Sequence, residues 1–254
     1  MLWGSLNGLL PTLAEAAPGE FLDAIEKAMR LKPCPFDKLF SQEGNGITNN
    51  NTVGSQSATG SLTFSTTTTS ATDVYGIFNF TSNAWTSNNN NVGGISVTNL
   101  GASGTFLLIG MRAFTGTTVP WTATSNTVGG TVADSMQLNA TGTASQLLGM
   151  FTSNAPSLLT SNNIRNLTSN IGTGTTTAAS VIGIGITSGT PNSTLSQNTI
   201  ARLTNTNATA ASVVTGLQFN GAAANVVERN LIHSLTVATN SATAEINGIR
   251  VAGG

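Results

Sequence analysis

The chain has 254 residues, of which 7 % are charged, with a net charge of −1, one Cys, one His and 28 Gly. Nine Lys and Arg against ten Asp and Glu exclude the basic face that a nucleic-acid partner needs, and a lone cysteine excludes a disulfide scaffold. Apolar runs such as Phe106-Leu107-Leu108-Ile109 fall far short of the about 20 residues of a membrane span, and near-neutrality with 39 % apolar residues is unlike a disordered chain.

Charge divides the chain near residue 48. Ten of the nineteen charged residues precede Thr48, and so does every lysine (Lys27, Lys32, Lys38). After Pro18-Gly19, the residues Phe21, Leu22, Ile25, Ala28 and Met29 form an apolar stripe at helical spacing. Acidic Glu20 and Asp23 open this helix, Lys27, Arg30 and Lys32 fall towards its end, and Pro33 and Pro35 stop it. A shorter helix is expected over residues 2–10. Ala14-Glu15-Ala16 suggests a signal-peptide cleavage site, but Met1–Ala17 has no Lys or Arg at its start and Pro11 interrupts its apolar run. The run from Ala16 to Glu26, with Pro33-Cys34-Pro35-Phe36-Asp37, resembles stretches of large uncharacterised bacterial proteins. That resemblance covers residues about 10–46 and implies no activity. Residues 1–48 thus read as a helical charged segment, either a cap for the rest of the chain or an unrelated fusion.

Residues 49–254 are a repeat. Asn-x-(Val/Ile) recurs at Asn51, Asn90, Asn126, Asn162, Asn198 and Asn230, with spacings of 39, 36, 36, 36 and 32 residues. A second mark, Gly followed by an aliphatic residue or Met, falls inside each unit at Gly76, Gly110, Gly149, Gly183, Gly216 and Gly248. Two marks kept in order through six units identify a solenoid. Thr, Asn, Gly and Ser are poor helix formers, and alternation such as Ile182-Gly183-Ile184-Gly185-Ile186 and Leu217-Gln218-Phe219 points to strands. Three short strands per unit are expected: one at the Asn mark, one at the Gly mark, and one before the next Asn, containing Leu195, Val226 and Val227. Loops such as Gly172–Thr177 would bulge from one corner.

The recurring Asn suits a tight corner, where it can take the left-handed conformation and stack its amide in a ladder from rung to rung. The residue two further on, Val53 through Ile232, would point inward. A Leu three residues later (Leu167, Leu203, Leu235) breaks strict alternation, as a bend would; Thr131 stands at that offset in the third unit. The Gly marks are expected to allow close approach on the outer face, with Ile77, Met111, Met150, Ile184, Leu217 and Ile249 facing in. Units of the form Asn-x-Ile-x-x-Leu followed by a polar loop and Gly-Ile, clearest at Asn162–Leu167 and Asn198–Leu203, resemble the right-handed parallel β-helix repeats of secreted bacterial surface proteins. The resemblance implies an all-β, right-handed parallel β-helix of about six rungs over residues 49–254, preceded by the short helical segment. The chain stops at Gly254 midway through its sixth unit, which reads as truncation of a longer protein.

Chemistry is sparse. The repeat holds four carboxylates (Asp73, Asp134, Glu228, Glu245) at unrelated offsets from their Asn marks, whereas a glycoside hydrolase needs a facing pair. His233 has no partner set for a metal or a nucleophile, and Cys34 reads as a plain thiol. No cofactor or metal is expected. Arg165, Arg202, Arg229 and Arg250 are scattered cations that could line a strip for an anionic glycan. Trp85 and Trp121 precede the Asn marks of successive units; they read as core or corner packing, with glycan contact through their ring faces as the functional alternative. Thr66–Thr69 and Thr175–Thr177 lie in loops of unequal length, unlike a flat ice-binding face. The expectation is a non-catalytic structural or adhesive segment of a secreted or cell-surface bacterial protein, its partners surface glycans or other surface proteins. The alternative is a polysaccharide-active β-helix, a lyase or glycoside hydrolase, whose catalytic site is lost or lies outside this segment.

Overall fold

The computed structural model describes residues 46–252 apart from 81–82, 102–103, 115–118, 143, 154–155, 173–178, 188–191 and 221–223, and before them only Gly19, Asp23, Glu26 and Lys27. Those four residues are helical and exposed. The rest of the expected N-terminal helices, the cleavage-site reading, Cys34 and Thr175–Thr177 lie outside the described residues. The chain separates into two units, Met1–Asn45 and Gly46–Gly254.

The second unit is the parallel β-helix that its repeats predict. Among the described residues, three parallel sheets run along the stack; the first and third have six strands each, so the chain passes through six rungs joined by five steps. The first sheet contains Gly46–Asn49, Trp85–Asn88, Trp121–Thr124, Ser157–Thr160, Thr194–Ser196 and Val226–Glu228. The third contains Thr72–Phe80, Phe106–Phe114, Gln146–Thr152, Val181–Ile186, Val213–Asn220 and Glu245–Ala252. Inward residues form columns up the stack. One runs Val53, Val92, Val128, Ile164, Ile200, Ile232 and another Ile77, Met111, Met150, Ile184, Leu217, Ile249. Their middle members are fully buried in one continuous core.

The second sheet shows why alternation fails at the Leu. In the last three rungs it is one strand each, Asn163–Ser169, Thr199–Asn205 and Leu231–Val237. A single residue between the two inward side chains takes a left-handed conformation: Asn166 (φ 55°), Arg202 (φ 54°) and Ser234 (φ 56°). In the first three rungs the same strand is cut in two by residues 54–61, 93–94 and 129–135. Leu167 therefore aligns with Met136, Ile95 and Leu62, not with Thr131. Thr131 lies in the inserted loop and reaches over to the first rung, its N–H and its Oγ1 both bonding to Gln56 O.

The glycine column corrects a second expectation. Its close approach is on the inner face: a Cβ on Gly183 would stand 2.5 Å from Ile200 Cγ2 and 2.5 Å from the Gly216 carbonyl oxygen. Strand pairing matches Leu148 with Ile182, passes over the glycines, and resumes at Met150 with Ile184. Each glycine thus shifts the alternation by one residue. Ile182 consequently faces outward, in a smaller cluster with Ile109, Leu148, Ala179 and Val213, while Ile184 and Ile186 enter the main core.

Candidate functional site

The corner after the first sheet is built by two adjacent residues with separate tasks. The left-handed conformation falls on the residue before each ladder asparagine: Asn50, Asn89, Ser125, Ser161, Gln197 and Arg229, all with φ between 54° and 58°. The asparagines at 51, 90, 126, 162, 198 and 230 are free of that strain because their side chains need another geometry. The backbone N–H and the Nδ2 of Asn126 both donate to Asn162 Oδ1, at 3.0 and 2.8 Å, and Nδ2 also donates to Ser87 O at 2.8 Å. The same set recurs at Asn90 and Asn162, and Asn198 repeats it towards Asn230. Asn90, Asn126, Asn162 and Asn198 are buried. A buried amide left without partners would be costly, and here nearly every donor and acceptor is matched. This ladder is structural and offers nothing to a ligand.

Trp85 and Trp121 present no ring face to a glycan. They sit within strands of the first sheet and point into the core, at 1 % and 0 % exposure. Their rings stack on each other with centroids 5.2 Å apart and planes within 8°. Each indole N–H finds an internal acceptor, Thr48 Oγ1 and Ser87 Oγ respectively. The rings align because Trp85 pairs with Trp121 in register; farther up that column carries Ser157, while Leu159 and Leu195 continue the neighbouring column of the small Ser87 and Ala123.

A cluster of partly exposed aromatics lies elsewhere, on the outer face of the third sheet over its first three rungs. The glycine shift turns the residues two and four after each Gly mark outward. In the first rung these are Phe78 and Phe80, in the second Arg112 and Phe114, and in the third Phe151 holds the first of the two places. Phe80 is 73 % exposed and stacks on Phe114, centroids 5.2 Å apart and planes 15° from parallel. Phe78 stacks on Tyr75 at 4.4 Å. Arg112 lies in the middle, its guanidinium carbon 5.3 to 5.8 Å from the ring centres of Tyr75, Phe78, Phe114 and Phe151. Gly185, next in the same column, leaves room for Phe151: a Cβ there would touch its ring at 3.0 Å. Farther up, that column carries Gln218 and Arg250. The strip was legible as aromatic residues at two fixed offsets from the Gly mark, once that mark is read as a shift in alternation.

A small polar network anchors the strip. Tyr75 Oη donates to Asp73 Oδ2, Arg112 Nη1 donates to Tyr75 Oη, and Arg112 pairs with Asp73 at 3.5 Å. Burial first, then the hydrogen bond to the Asp73 carboxylate, raise the Tyr75 phenol above its ordinary value of 10.0, against the opposing pull of Arg112. Tyr75 is the only tyrosine in the chain, so ultraviolet absorbance during a pH titration reads it alone. The midpoint is expected above 10.0 in the native chain, and lower for Asp73→Asn, which removes the carboxylate acceptor and its charge. The native state binds the phenolic proton more tightly than the unfolded chain does. This contribution to stability is therefore full below about pH 10 and falls as pH rises past it. An Asp73→Asn midpoint equal to or above the native one would contradict the network.

The remaining titratable groups do not converge. Asp134 Oδ1 accepts from Thr168 Oγ1, and exposed His233 shares a hydrogen bond through Nδ1 with its neighbour Ser234. Arg165 and Arg202 lie on the second sheet, Arg229 at the corner and Arg250 on the third sheet, so they make no continuous strip. Among the described residues no three His, Cys, Asp or Glu side chains group as for a metal, and no helix is long and apolar enough to cross a membrane. Compared with known proteins, the chain matches no family model, no curated protein and no solved structure.

Proposed function

We propose that the chain is a non-catalytic adhesive segment of a secreted or cell-surface bacterial protein, and that it holds surface glycans on the aromatic strip of its third sheet. The observation that carries this reading is the exposure of Phe80 and Phe78 beside Phe114, Tyr75 and Arg112 on a hydrogen-bonded sheet. Aromatic rings left in water on a rigid surface mark a contact site, because a monomer gains nothing from exposing them. Flat ring faces pack against the C–H face of a sugar ring, and the stacked pairs present such faces already ordered, which lowers the entropy lost on binding. Arg112 and Tyr75 add donors at the edge for sugar hydroxyls. The parallel stack itself serves as the rigid support.

A glycan array probed with the full chain tests the reading. Binding is expected from the native protein, weakened at least about tenfold, roughly 1.4 kcal/mol, by combined Phe80→Ala and Phe114→Ala. Both rings lie outside the core, so circular dichroism should be unchanged. Undiminished binding by the double variant, or no binding to any glycan, would remove this assignment.

A further inference from the structure

The aromatic strip repeats with the rungs, and the repeat bears on the shape of what it holds. Phe80 and Phe114 occupy the same place on successive rungs, with ring centroids 5.2 Å apart and planes 15° from parallel. In the neighbouring column Phe78, Arg112 and Phe151 follow one another over three rungs. There the guanidinium carbon lies 5.6 Å from the Phe78 ring centre and 5.8 Å from that of Phe151. Along the stack, spacing is therefore set by strand pairing at about 4.8 Å per rung. Across the strands it is uneven: Tyr75, Phe78 and Phe80 have centroids 4.4 and 6.0 Å apart and planes 20° and 49° from parallel. A ligand with a regular repeat fits the first direction and not the second.

Sugar chemistry narrows the ligand further. An extended β-1,4-linked chain of pyranoses advances by about one rung spacing per sugar. Each sugar is also turned by half a turn from the last, so opposite faces of successive sugars meet the protein. Both faces are lined by axial C–H bonds only when every ring substituent is equatorial, as in glucose. An axial hydroxyl, as in mannose, puts a polar group on one face. Phe80 and Phe114 are offset-stacked, so each covers only part of the other and leaves ring surface for such C–H faces. Charge points the same way. Asp73 pairs with Arg112 at 3.5 Å, so the two charges of the strip cancel and an acidic sugar gains nothing from it. The Asp73 carboxylate, 41 % exposed, accepts from sugar hydroxyls.

We propose that the strip holds an uncharged, β-1,4-linked, glucose-configured chain lying parallel to the stack, one sugar to each rung, over Phe80, Phe114 and Phe151 in turn. This rests on the glycan reading above and adds to it the linkage, the sugar configuration and the direction of the chain.

Calorimetric titration of the full 254-residue chain with cello-oligosaccharides of one to six sugars tests it. Affinity should rise at least about threefold per sugar up to three sugars and then level off, because the strip spans three rungs. Phe151→Ala should bring the trisaccharide down to the level of the disaccharide and leave the disaccharide unchanged. Phe114→Ala, which interrupts the run, should abolish the rise. Maltotriose keeps the sugar but curves the chain, and β-1,4-mannotriose keeps the linkage but adds the axial hydroxyl. Each should bind the native chain at least about tenfold more weakly than cellotriose. An array glycan that binds while cello-oligosaccharides do not, or do so without dependence on length, overturns this inference and leaves the glycan reading standing. Maltotriose or mannotriose binding as well as cellotriose does the same. No binding to any glycan removes both.

Discussion

Asn162→Ala is expected to cost about 3–5 kcal/mol in urea denaturation, the loss falling on groups that cannot reach water. The substitution deletes one amide but breaks four hydrogen bonds. Asn126 loses the shared Oδ1 acceptor of its N–H and its Nδ2, the Ala123 carbonyl loses its donor, and Asn198 Oδ1 keeps only the backbone N–H of residue 162. All three asparagines are at most 1 % exposed. Asn51→Ala, at the exposed end of the same column, loses only the Nδ2 bonds to Asn49 O and Asn90 Oδ1, which water can replace, and should cost about 1 kcal/mol or less. Asn162→Asp separates hydrogen bonding from packing: the carboxylate can still accept from Asn126 but would face the Ala123 carbonyl and Asn198 Oδ1 with no proton to give. It should be worse than alanine at neutral pH and recover as the pH falls and the acid is protonated. Equal costs at positions 51 and 162 would show that the ladder contributes little.

The second large effect is steric. Gly183→Ala places a methyl group 2.5 Å from the Gly216 carbonyl oxygen and 2.5 Å from Ile200 Cγ2, and neither a paired backbone nor a core side chain can withdraw far. The expected cost is about 3 kcal/mol or more, at the upper end of what overpacking brings. Gly248→Ala makes the same change in the same column at the sixth rung, where nothing lies within 4 Å, and should be nearly neutral. Thermal melts of the two variants give a matched comparison in which only the next rung differs. A small loss for Gly183→Ala would mean that the sheets separate more easily than this packing implies.

Those two columns show what the sequence made legible. Asn and Gly recurred because each occupies a position where one particular chemistry is repeated on every rung, so the period, the parallel stacking and the inward Val or Ile could be read directly. The detail within a rung was harder. The left-handed corner residue varies among Asn, Ser, Gln and Arg, since it needs only a backbone angle, and the eye is drawn to the constant asparagine beside it. The inner placement of the glycines follows from a one-residue slip in alternation that no count of apolar residues reveals. The same slip hid the aromatic strip, because Phe78 and Phe80 share a strand with inward Ile77. For Trp85 and Trp121 the core reading held and the glycan alternative did not, because each ring is stacked on the other inside the sheet.

The order of the rungs also bears on how the molecule responds to tension. The described chain enters at one end of the stack and leaves at the other, so a pull on residues 46 and 252 loads the terminal rungs first. Each rung is held to its neighbour by bonds lying side by side along three edges, and these would separate in succession, as in a zipper. A unit of 36 residues released in this way lengthens the tether by about 120 Å when fully extended. Single-molecule stretching is expected to show a train of similar steps of that order rather than one cooperative rupture. A chain built like this would yield in stages under load, and a pull at residue 46 would release Phe78 and Phe80 of the aromatic strip with the first rung.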